Sequence, residues 1–120
     1  MIVNEEFAID ELVRDLKRPE MGAIVMFLGM VRGDKGVRGM RVEGDERAAA
    51  DKLELMKQDA LKRFEIDAVE IAHRRAGSYR VGENLLLILV GAQHRKAAFR
   101  ACEYLIDAIK ADEPFVKTEF

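Results

Sequence analysis

Apolar and polar positions alternate along this chain with two different periods. Residues 8–18, AIDELVRDLKR, place Ile9, Leu12, Val13 and Leu16 at helical spacing, and Pro19 ends the pattern, so a short amphipathic helix is expected. Residues 23–31, AIVMFLGMV, form an apolar run rich in branched side chains and too short for a core helix, which predicts a buried strand. Residues 33–39, GDKGVRG, read as a mobile glycine-rich turn leading into a short strand near 40–43. From Glu46 to Phe64, Ala49, Leu53, Met56, Ala60, Leu61 and Phe64 recur every three or four positions between charged residues, the pattern of a long surface helix. Residues 68–75 and 85–92 are apolar runs separated by GSYRVGE, and a hairpin is the simplest reading. Ala98, Ala101, Cys102, Leu105, Ile106 and Ile109 stripe a helix that starts after His94 and runs to about Lys110. Beyond Pro114, FVKTEF can add a final strand.

The order αββαββαβ predicts an α+β fold, a two-layer sandwich of helices on a mostly antiparallel sheet. Its 120 residues, without a low-complexity linker or a fixed-period repeat, fit one domain spanning 1–120. Apolar residues make up 49% and charged residues 35%, enough to build a core and to cover it. Twenty Lys and Arg against 22 Asp and Glu leave a net charge of −2, which argues against whole-molecule attraction to nucleic acid or a membrane surface. Any anion site must be local. One cysteine cannot staple the chain to itself, and no Cys/His grouping has zinc-site spacing, so the residues call for no metal and no cofactor. No run approaches the ~18 apolar residues of a membrane span and the N-terminal residues do not resemble a signal peptide, so a cytoplasmic setting is expected.

Four basic clusters are candidates for chemistry. Arg32, Lys35, Arg38 and Arg41 crowd the glycine-rich turn, and Arg32 follows directly on the buried strand, a firmer mounting than a loop tip. His94 and Arg95 stand where a strand gives way to a helix, so their side chains and the first-turn N–H groups can face one anion. His73, Arg74 and Arg75 lie on a strand, where alternation separates neighbours, and a structural role is favoured for them. Lys110 and Lys117 flank Pro114, and a chain reversal there can bring both amines to one pocket. Mutual repulsion would make one amine a better base, while the negative helix end opposes that shift. Cys102 falls inside an apolar stripe, as expected of a buried, unreactive thiol.

Taken together, GAIVMFLGMVR at 22–32, a central helix, HRRAGSYRVGE at 73–83, HRKAAF at 94–99 and the Lys110/Lys117 ending resemble the large, catalytic subunit of molybdopterin synthase over nearly the whole chain. The resemblance implies sulfur transfer: cyclic pyranopterin monophosphate becomes the molybdopterin dithiolene, with sulfur supplied by the thiocarboxylated Gly-Gly end of a small ubiquitin-like subunit. It implies a homodimer of this subunit within a heterotetramer, and no reactive cysteine. Its substrate-binding positions fall on Met30, Val31, Arg32, His94, Arg95, Lys110, Lys117, Thr118 and Glu119. Lys110 and Lys117 take the catalytic roles, Arg32, His94 and Arg95 anchor phosphate and pterin, and Glu119 orients Lys117. Where the family commonly has an aromatic, an acid, an aromatic and a methionine before the central helix, this chain has Val42, Glu43, Asp45 and Ala48, and Thr118 stands where a basic residue is frequent. The alternative is a non-catalytic relative that binds a pterin or another phosphorylated ligand as a sensor or assembly module.

Overall fold

A computed structural model describes residues 1–120. Seven strands and three helices follow one another as β1 (Ile2–Val3), α1 (Ile9–Leu16), β2 (Ala23–Met30), β3 (Gly39–Glu43), α2 (Glu46–Arg63), β4 (Ala68–Arg74), β5 (Gly77–Arg80), β6 (Asn84–Ala92), α3 (Arg95–Ala111) and β7 (Val116–Glu119). The α+β architecture with helices packed on largely antiparallel strands is the one the hydrophobic pattern predicts. The strands divide into two sheets, one of order β1-β4-β6-β2 and a smaller one of order β5-β3-β7.

Strand β6 is the axis of the larger sheet. It pairs antiparallel with β2 from Ala23↔Ala92 to Met30↔Asn84, and with β4 from Ala68↔Gly91 to His73↔Leu86. Because side chains alternate across a strand, its LLLILV run serves two layers. Leu86, Ile88 and Val90 pack with Val69 and Ile71 of β4 under Leu53 and Ala60 of α2 and Ala98, Cys102, Leu105 and Ile109 of α3. Leu87 and Leu89 point the other way, onto Leu16 of α1 with Ala68 and Ala72. A third core joins Val31, Val42, Ala49, Tyr79, Leu85 and Phe115 beneath the small sheet, and Ile2 touches both this core and the first.

Local chemistry sets the element ends. Asp45 caps α2, its carboxylate accepting from the N–H groups of Arg47 and Ala48 at 2.8 and 3.1 Å. The glycine-rich turn closes as a single 3-10 turn, Asp34–Gly36, with Lys35 and Gly36 at φ 56° and 75°.

Two elements depart from the sequence expectation. The two-residue β1 lies parallel to β4, Ile2 opposite His73, an association that no local pattern announces. The segment expected as the turn of the β4–β6 hairpin contains β5, whose Gly77–Arg80 pairs with β3 and adds an edge to the small sheet. Within β5 just one side chain, Tyr79, is buried, so its alternation is too short to stand out among the glycines. No helix is long and apolar enough to cross a membrane.

Candidate active site

The C-terminal end of α3 and the strand that follows build one corner of the site. Lys110 lies exposed in the last turn of α3. The chain then reverses through Asp112–Pro114, and Phe115 drops into the third core beside Val31. Strand β7 is thereby laid against β3, with Lys117 opposite Val42, Thr118 opposite Arg41 and Glu119 opposite Met40. Asp112 fixes the reversal by accepting from Lys52 of α2 at 2.7 Å. The Lys117 side chain is 18% exposed, and its amine pairs with Glu113 at 3.0 Å. The carboxylate that orients Lys117 is thus four residues before it; Glu119, two residues after it, is exposed.

Strand β2 brings the second cation. Val31 is buried beside Phe115 in the same core, so the residues either side of it, Met30 and Arg32, emerge next to the β7 corner. Arg32 is 81% exposed, and its single ion pair, to Asp34 at 3.7 Å, is long and solvated, which leaves the guanidinium free to take a ligand. Lys35, Arg38 and Arg41 continue along the adjoining turn and β3, where Arg41 is engaged by Glu43 at 3.3 Å.

His94 and Arg95 form a separate locus. His94 is the residue before the first turn of α3 and makes no side-chain capping bond, and no acidic residue stands in that turn. Several first-turn N–H groups, the positive helix end and the side chains of His94, Arg95 and Lys96 therefore face one shallow hollow floored by Gly22, Ala23 and Gln93. The floor demands glycine: a Cβ on Gly22 would lie 2.4 Å from the Gln93 carbonyl oxygen.

The two loci do not meet within one copy. Ala23 adjoins the His94 hollow and Met30 the lysine corner, and the seven steps of β2 between them span about 23 Å. Helix α3 covers the same interval, since fifteen steps from Arg95 to Lys110 rise about 22 Å. Arg32, Lys110 and Lys117 share one end of the sheet, and His94 and Arg95 occupy the other.

Between the sheets lies a buried layer. His73 is wholly buried, its ring centroid 5.0 Å from that of Phe115, and its Nδ1 donates to the Arg74 carbonyl at 2.6 Å. Nε2 has no partner. Burial, reinforced by the positive charge of Lys117, pushes the imidazole down to about 4, so it is neutral at pH 7. Arg74, also buried, stacks over Tyr79 with 4.8 Å from guanidinium carbon to ring centroid, and the Tyr79 hydroxyl donates to the Arg75 carbonyl. His73 and Arg74 are thus framework, as their strand position predicts. Burial raises the Cys102 thiol to about 11, and it is inert for the same reason.

Sequence reasoning passed over Glu113, the partner of Lys117. A carboxylate four residues before a basic residue is a signal that charge spacing alone could have raised.

Comparison with known proteins gives this arrangement a family. The profile of the MoaE protein family matches residues 2–112. The molybdopterin synthase catalytic subunit of Pyrococcus abyssi is 36% identical over 118 residues, covering 96% of this chain and 79% of that protein. The catalytic subunit from Brucella melitensis is 36% identical over 103 residues, but this chain spans 63% of its length. Among solved structures, molybdopterin synthase from Staphylococcus aureus superposes with a TM-score of 0.90 at 31% identity, covering 99% of this chain and 88% of the other. A Helicobacter pylori complex of subunits 1 and 2 of molybdopterin-converting factor shares the fold, with a TM-score of 0.79 at 21% identity. With the family profile matched across nearly all of its elements and the same fold in its solved relatives, the chain belongs to the MoaE family.

Proposed function

We propose that this chain is the catalytic subunit of a molybdopterin synthase, a sulfurtransferase that converts cyclic pyranopterin monophosphate to the molybdopterin dithiolene. The sulfur comes from the C-terminal thiocarboxylate of a small ubiquitin-like subunit, and the reaction takes place in the cytoplasm. What supports this reading is that the end of α3 with Lys110, the start of β7 with Lys117 and the end of β2 before Arg32 lie at one end of the fold, in a chain aligned over 96% of its length with a relative of that name. The Helicobacter pylori structure, a complex of subunits 1 and 2 of molybdopterin-converting factor, supports a partner subunit for this fold.

The chemistry follows from charge. A thiocarboxylate and a phosphate are both anions. Two unit charges 5 Å apart at an effective dielectric of 20 repel by about 3 kcal/mol, enough to slow their encounter more than a hundredfold unless cations offset it. Lys110, in the last turn of α3 and without an acidic partner in the structure, takes the leading role: it holds the thiocarboxylate, supports its attack on the pterin and stabilises the oxyanion as water adds to the resulting acyl intermediate and the acyl C–S bond breaks, leaving sulfur on the pterin and a carboxylate on the small subunit's tail. Lys117, held by Glu113, adds a fixed charge to the same field. Arg32 presents a planar fork to the substrate, with Met30, Val31, Thr118 and Glu119 lining the approach.

His94 and Arg95 complete the phosphate and pterin site from a second copy of the chain. At about 23 Å from Met30 they cannot serve the lysine corner of their own copy. The active assembly is accordingly a homodimer of this subunit, with one small subunit inserting its tail at each lysine corner.

The test supplies purified chain with a thiocarboxylated small subunit and cyclic pyranopterin monophosphate and measures dithiolene formation. Product is expected with the native chain, and a fall of at least a hundredfold with Lys110→Ala and with Lys117→Ala. Substrate binding without product would instead favour a sensor or assembly role.

A further inference from the structure

Arg74, the last residue of β4, is framework by contact, but its charge is not answered inside the chain. It is 8% exposed, whereas every other arginine lies on the surface. None of the chain's ion pairs includes it. Glu83, in the turn before β6, accepts instead from the Arg80 N–H at 2.6 Å. What compensates the guanidinium is thin. Its Nη1 donates to the Asn84 carbonyl at a long 3.4 Å, its Nε has no partner, and its face rests on Tyr79.

Arginine is rarely buried without an acid, because the charge gives up its hydration and recovers little in return. An apolar side chain of similar volume commonly holds such a position with no loss of stability. A charge kept there nonetheless points to an anion that arrives from outside the chain.

Its place in the fold says where that anion sits. Asn84, whose carbonyl the guanidinium reaches, stands opposite Met30 in the β2–β6 ladder, about 5 Å away. Tyr79 packs in the third core with Val31 and Phe115 and lies opposite Met40, which in turn faces Glu119 of β7. Two strand spacings, about 10 Å, separate Tyr79 from β7. The charge is therefore mounted behind the Met30–Arg32 end of β2, with packed protein on its inner side.

We propose that Arg74 is a positioning residue of the anion site, a fixed positive charge that draws an oxyanion to the Met30–Arg32 end of the corner without touching it. The inference rests on the proposed sulfur transfer for the identity of the guest, the pterin phosphate or the thiocarboxylate of the tail, and adds a source of attraction beyond the residues that touch either one. Arg32 and Lys110 are solvated and screened by salt, whereas a buried charge acts through protein and is screened much less. At an effective dielectric of 20, a unit charge about 10 Å from a monoanion alters its binding roughly tenfold. The attraction is the same before and during reaction, so it acts on affinity and leaves the chemical step alone.

Arg74→Met removes the charge and keeps an unbranched side chain, and Arg74→Lys keeps the charge. Inorganic phosphate is titrated into the isotope-labelled native chain and each variant, and the amides of Met30–Arg32 are followed by nuclear magnetic resonance. These amides should shift in the native chain. The Kd should rise at least fivefold in Arg74→Met and stay within about threefold of native in Arg74→Lys. The melting temperature of Arg74→Met should equal or exceed the native value, because no acid is left without its partner. In the dithiolene assay the same variant should raise KM about tenfold with kcat within twofold. A rise confined to the KM for the pterin places its phosphate at this end, and one confined to the KM for the small subunit places the thiocarboxylate there. Phosphate that moves none of these amides in the native chain, or an Arg74→Met chain that binds phosphate as the native one does, would overturn the proposal. So would an Arg74→Met chain that melts well below the native one, or one whose kcat falls at constant KM. The titration needs neither pterin nor partner: a chain that binds phosphate through Arg74 and makes no dithiolene would sink the proposed activity and leave this inference standing.

Discussion

His73 offers a sharp test of the packing between the two sheets. The side chain is fully buried with Nε2 unpartnered, and it titrates at about 4 in the folded chain against an ordinary value near 6.5. Because the folded value is the lower one, the unfolded chain takes up the proton first as pH falls. The stability tied to the neutral imidazole is complete above pH 6.5 and is lost on the way down through pH 4. Linkage between these two values gives a loss of about 2 kcal/mol between pH 7 and pH 4.5 from this one residue. That is a large share of the ~5–15 kcal/mol that holds a typical domain folded. The measurement is urea unfolding, followed by circular dichroism, of the native chain and of His73→Gln at both pH values. The glutamine stays neutral throughout, so its overall stability can be lower, but the native chain should lose about 2 kcal/mol more than the variant does on acidification. Equal losses in the two proteins would refute both the burial and the missing partner at Nε2.

Three other expectations concern framework and site. Leu105→Ala removes a fully buried side chain from the α3–sheet core and should lower unfolding free energy by about 3 kcal/mol, measured by denaturant titration. Asp45→Ala deletes a cap that serves two N–H groups of α2 and should cost about 1 kcal/mol by the same assay, with turnover preserved. Cys102 should resist a thiol-specific alkylating reagent at pH 7.5 until the protein is unfolded, because burial holds its thiol at about 11, and Cys102→Ser should retain sulfur transfer to within about twofold.

What could be read from the sequence depended on the range of the interaction. The stripes of α2 and α3 and the apolar runs of β2 and β6 are local periodicities, and the observed elements lie within two residues of those expected. Strand β1 owes its existence to Ile71 and His73, about seventy positions away, and β5 to β3, nearly forty positions earlier. Two or four residues carry too little pattern to announce such pairings. Within the site, the chain reversal between Lys110 and Lys117 is legible because six residues and one proline separate them. The separation of His94 from Arg32 is encoded in the length of β2: a strand crossed end to end carries its two termini to opposite ends of the sheet. The partner of Lys117 was expected at Glu119, on the same strand, whereas the reversal at Pro114 brings Glu113 to the amine.

In the proposed site, anion-binding groups from the two ends of the sheet act together through two copies of the chain. Co-expressing Arg95→Ala with Lys110→Ala tests it most directly, with each variant also assayed alone for dithiolene formation. Each alone should be at least a hundredfold impaired. In the mixture, random pairing makes about half of the dimers mixed, each with one intact and one doubly damaged site, so about a quarter of native turnover should return. A mixture as inactive as its parents, or an Arg95→Ala chain that turns over normally by itself, would show that the two ends of the sheet do not act together across copies.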